Sequence, residues 1–71
     1  MRPDFICKQR ELKEGLFDVF IPAHTGARDW MVENTTETER LLVSAQLTLE
    51  RGQEFRAEAK KAGFKFSDEM L

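Results

Sequence analysis

Apolar positions along the chain change their spacing from one segment to the next, and the spacing predicts the elements. Phe5, Ile6 and Cys7 form a short run that leads into Lys8-Gln9-Arg10-Glu11. Pro3 has no N–H to give to a ladder, so a first strand is expected over residues 5–11. Glu14-Gly15 supplies a turn, and Leu16 to Ile21 reads as a second strand, which together spell a β-hairpin. In the second strand Phe17, Val19 and Ile21 share one face, while Leu16, Asp18 and Phe20 share the other. A strand apolar on both sides except at Asp18 belongs inside a sheet rather than at its edge.

Pro22 ends that strand. Thr25 is the expected N-cap of a helix that begins at Gly26 and Ala27, with Ala27, Trp30 and Met31 on one apolar stripe. Asn34 closes it, as a residue that tolerates the left-handed region. Residues 36–50 carry two conflicting signals. Thr36 and Glu39 spell a capping box, which favours a helix. Val43, Ala45, Leu47 and Leu49 alternate with Ser44, Gln46, Thr48 and Glu50, which favours a strand over 42–49. The alternation is the cleaner of the two. Arg51 to Ala62 then reads as a helix with Phe55, Ala59 and Ala62 inward, followed by a C′ glycine at Gly63. Phe64-Lys65-Phe66 is a candidate final strand, and residues 67–71 are expected to fray.

The expected order is therefore β-β-α-β-α in a single small α+β domain spanning 1–71. Its sheet has three or four strands, with two helices packed on one face. The alternative is a β-hairpin followed by a short helix and one long helix from Thr36 to Ala62.

Composition narrows the function classes. Eleven Lys and Arg against thirteen Asp and Glu give a formal net charge of −2, with the signs interspersed. That balance argues against a whole-molecule basic footprint for nucleic acid. No apolar run approaches the ~20 residues of a membrane span, and Met-Arg-Pro-Asp does not open a signal peptide. A cytoplasmic protein is expected. Cys7 is the lone cysteine, which excludes an internal disulfide and favours a small hydrophobe in a reducing compartment. A chain this short buries only about 60% of its unfolded surface, so self-association is a ready way to bury more.

Candidate chemistry is sparse. His24 is the lone histidine, and Cys7, Asp18 and Asp29 complete the raw material for acid–base or nucleophilic work without any nucleophile signature. One histidine and one cysteine fall short of a structural zinc site, so no metal and no cofactor is expected. His24, Thr25, Gly26 and Arg28 are candidate anion contacts at the first helix N-terminus. Arg56, Lys60 and Lys61 are candidate nucleic-acid contacts on a strip interleaved with Glu54 and Glu58. Two helices cover only one side of a small sheet, which leaves an apolar patch, expected at Phe5, Ile6, Leu16 and Phe20.

The spacing of Pro22, Arg28 and Trp30, with Ala62-Gly63-Phe64 later, resembles that of small bacterial or phage-type open reading frames. The reading is a non-enzymatic interaction or regulatory module of a bacterium or phage, docking on a larger protein partner or on itself as a homodimer. The alternative is an accessory nucleic-acid-binding protein that uses the basic strip of the C-terminal helix.

Overall fold

A computed structural model of the chain describes residues 2–69. Strands β1 (Phe5–Leu12), β2 (Gly15–Pro22), β3 (Arg40–Leu41) and β4 (Ser44–Thr48) form one antiparallel sheet in the order β1-β2-β4-β3. Helix α1 (Thr25–Asn34) follows β2, and helix α2 (Leu49–Lys61) follows β4. Both helices lie on one face of the sheet, so the α+β architecture read from the alternation over 42–49 holds. The single long helix from Thr36 does not form.

The core lies between that face and the helices. Phe5, Phe20, Ala45 and Leu47 point inward from the strands and meet Ala27, Met31, Phe55 and Ala59 from the helices. Phe66 closes the layer from the C-terminal segment. The rings pack edge-on or stacked, with Phe20 and Phe55 centroids 4.7 Å apart and Phe5 touching Trp30, Phe55, Phe64 and Phe66. Every aromatic ring of the chain joins this cluster except Phe17.

Several local expectations change. The N-cap of α1 is His24 rather than Thr25, and its Nδ1 accepts a hydrogen bond from the Ala27 N–H at 3.2 Å. The Thr36–Glu39 pairing is real, with Glu39 accepting from the Thr36 N–H at 2.8 Å, yet it caps one 3-10 turn (Glu37–Glu39). Asn34 is the last residue of α1, but the residue after it, Thr35, is extended rather than left-handed.

The fourth strand is β3, which no propensity announces, and Phe64-Lys65-Phe66 contributes only a single parallel bridge from Phe66 to Phe5. Ser67–Glu69 is a docked 3-10 turn rather than a frayed end. Ser67 Oγ accepts from the Cys7 N–H, Asp68 binds Arg56 and Glu69 pairs with Lys60. Residues 70 and 71 of the expected frayed tail lie outside the described residues. The end of α2 matches expectation: Gly63 has φ +93°, with Phe64 N–H on Ala59 O and Gly63 N–H on Lys60 O, a Schellman closure.

Candidate interaction surface

Strand pairing decides which side of β2 faces the helices. Phe20 pairs with Ala45 and Asp18 with Leu47, so the face that carries Asp18 is the one the helices cover. Val19 pairs with Gln46 and Phe17 with Thr48, which places the uniformly apolar side of β2 beside the polar side of β4. Phe5 and Phe20, expected on an exposed patch, are therefore fully buried. Leu16 sits on the covered face but beyond the helices and is exposed. Ile6 remains exposed, on the opposite face from Phe5.

The outward face is organised in rows. Ile6 pairs with Ile21, Lys8 with Val19 and Arg10 with Phe17. Across the sheet, Leu41 pairs with Ser44 at the same end as Ile21. Phe17, Val19 and Ile21 are partly buried by their neighbours, and no described element packs over them. Lys8 and Arg10 are the charged residues of this face, both positive; the strands place no carboxylate on it.

Beyond Leu41 the chain reverses in a two-residue loop, Leu42-Val43. Leu42 has φ +58°, the one non-glycine residue among the described ones with positive φ. It is 94% exposed, Val43 61% and Leu41 51%. Two-residue hairpins that need a left-handed residue normally place glycine or asparagine there, because a Cβ is strained in that region. Here the position holds an aliphatic side chain that contacts almost nothing. Neither burial nor local backbone preference accounts for a leucine at this tip.

The other candidate sites resolve differently. Both His24 nitrogens are engaged: Nδ1 caps α1, so Nε2 carries the proton and meets Asp4 Oδ1 at 2.7 Å. The second Asp4 oxygen accepts from the Lys65 N–H at 2.7 Å. These bonds hold the Asp4 carboxyl below its ordinary range, the His24 contribution being the larger. An anion at Thr25, Gly26 and Arg28 would compete with the His24 cap for the Ala27 N–H.

Burial pushes the Cys7 thiol up to about 11, against the opposing pull of Arg56, which leaves it a poor nucleophile at neutral pH. Arg56 makes a two-pronged pair with Asp68 at 3.0 and 2.7 Å and lies over the Phe20 and Phe66 rings. Lys60 pairs with Glu69 and Lys61 with Glu58. Each cation of the expected basic strip thus faces a carboxylate. Among the described residues no group of His, Cys, Asp and Glu side chains could hold a metal ion, and no helix is long and apolar enough to cross a membrane.

Compared with known proteins, the chain matches no family model, no curated protein and no solved structure.

The surface residues that sequence reasoning missed are Lys8, Arg10, Phe17, Val19, Ile21, Leu41, Leu42 and Val43. The parity of Phe17, Val19 and Ile21 is plain in the sequence. Its direction is not, because it depends on register with β4.

Proposed function

We propose that the chain is a non-enzymatic interaction module that docks, in the cytoplasm, on a larger protein through the outward sheet face and the Leu41–Val43 tip. The observation that carries this reading is the exposed, left-handed Leu42 beyond a cross-sheet row of Ile6, Ile21, Ser44 and Leu41, apolar except at the serine. Strain of this kind persists where an interaction needs the side chain in place. Charge selects the kind of partner. The face offers Lys8 and Arg10 without an anion, so a second copy would bring like charges to the contact. The complementary surface is an apolar ridge flanked by Asp or Glu. Cytoplasmic placement agrees with Cys7, a lone thiol that stays reduced there.

The test is capture of partners from a lysate of the source organism by tagged wild-type protein and by a Lys8→Glu/Arg10→Glu variant, with and without nuclease. The expected result is a stoichiometric protein that survives nuclease and is lost on charge reversal. Capture that is nuclease-sensitive, or indifferent to both reversals, contradicts the reading. Purely homomeric association would do the same.

A further inference from the structure

Asp18 is a carboxyl that the fold does not need where it stands. It is 8% exposed, on the covered face of β2 next to Phe20, and no described residue donates a hydrogen bond to it. Helix α2 crosses directly over it at Gly52. A Cβ at that position would lie 2.4 Å from Asp18 Oδ2, so the glycine is what allows the approach. No fully buried side-chain oxygen or nitrogen lacks a partner among the described residues, so the Asp18 oxygens reach solvent. They do so through a cleft of about 230 Å³ lined by Cys7, Lys8, Gln9, Asp18, Arg56 and Asp68.

The lining says what would fill it. Gln9 is the cross-strand partner of Asp18, so their side chains leave the same face side by side. Arg56 and Asp68 satisfy each other's charge through their two-pronged pair. Asp18 is left as the carboxyl to which no described residue donates a hydrogen bond, in a lining where Gln9 and Asp68 can accept and where the cations are Lys8 and the Asp68-paired Arg56. A largely buried carboxyl without a donor is costly, and a charged donor is its strongest partner. A metal ion would need a larger ligand set than the described residues offer. An ammonium group brings three N–H donors to the three side chains that accept here.

We infer that this cleft is a binding site for a small primary ammonium compound, its –NH3+ held by Asp18 with Gln9 and Asp68 in support. Asp18 and Gln9 project to the side of the sheet opposite the outward face, and Lys8 is the residue the cleft shares with that face.

Titration of the isotope-labelled full chain with ethylammonium chloride, followed by amide NMR, tests it. Saturable shifts are expected at Gln9, Asp18 and Arg56. Asp18→Asn, which keeps shape and removes the charge, should weaken binding about tenfold or more, the worth of a charge-assisted hydrogen bond. Gln9→Ala provides a second variant that leaves Asp18 and α2 untouched and should weaken binding by a smaller factor. Tetramethylammonium, which has no N–H, should fail to saturate. The inference is overturned by unsaturable shifts, by shifts matched with potassium chloride, or by equal binding in folded Asp18→Asn.

Discussion

Leu42 occupies a conformation that costs a non-glycine residue on the order of 1–3 kcal/mol, and its side chain recovers none of that through burial. Leu42→Gly should therefore stabilise the isolated protein by about 1 kcal/mol in urea unfolding while weakening partner capture. A variant that is both less stable and fully competent for capture would contradict the role given to this residue. Gly52 makes the opposite case. Gly52→Ala should destabilise the wild type, because a Cβ meets Asp18, although alanine is worth about 1 kcal/mol over glycine in a helix interior. On an Asp18→Ala background, which removes the carboxyl at 2.4 Å but keeps a Cβ at 3.1 Å, the same change should cost less. Equal costs on both backgrounds would show that Asp18 is not the obstacle. Cys7, with its thiol raised to about 11 by burial, should alkylate slowly at pH 7–8 and faster as pH rises toward 11 in the folded state.

Among the elements, α1 lacks an acidic residue in its first turn and a basic one in its last. Its ends are held by groups from elsewhere: His24 caps the start, while Arg40 donates to the Val32 and Thr35 carbonyls and Arg51 to that of Asn34. The docked C-terminal turn depends likewise on Asp68, whose carboxyl Arg56 holds below the ordinary range, as His24 and the Lys65 N–H hold Asp4. Carboxyls with depressed folded-state values stabilise fully above the unfolded value, about 3.9, and the contribution fades as pH falls through the lower folded value. Acid unfolding should thus steepen below about pH 4, and Asp68→Asn should flatten that limb. An unchanged acid limb in Asp68→Asn would refute the assignment.

What was legible at this scale was the strongly periodic part. Both hairpin strands, the strand at Ser44–Thr48 and the α2 closure at Gly63 follow from spacing and glycine placement. Strand β3 was hidden because its turn, Leu42-Val43, spells no turn chemistry, and the α1 cap because an imidazole does the work usually given to a hydroxyl. The bridge from Phe66 to Phe5 joins residues too far apart in sequence for any local pattern to register.

For the whole molecule, the decisive fact is which way β2 turns. Taken alone, β2 would send Phe17, Val19 and Ile21 inward and Asp18 out. Pairing reverses this, because Ala45 and Leu47 must be buried and they share the side of Phe20. A surface with Val19 at its centre, between Ile21 and Phe17, and with Lys8 and Arg10 beside it is the consequence, and it lay beyond any single-strand reading.

The most direct measurement is partner capture by a Phe17→Ser/Val19→Ser variant set beside its thermal unfolding. The expected result is a protein that stays folded, since Phe17 and Val19 are only partly buried and lie on the face the helices leave open, yet captures no partner. Undiminished capture by this folded variant, or unfolding as severe as the about 3–5 kcal/mol expected of a core Phe20→Ala change, would contradict it.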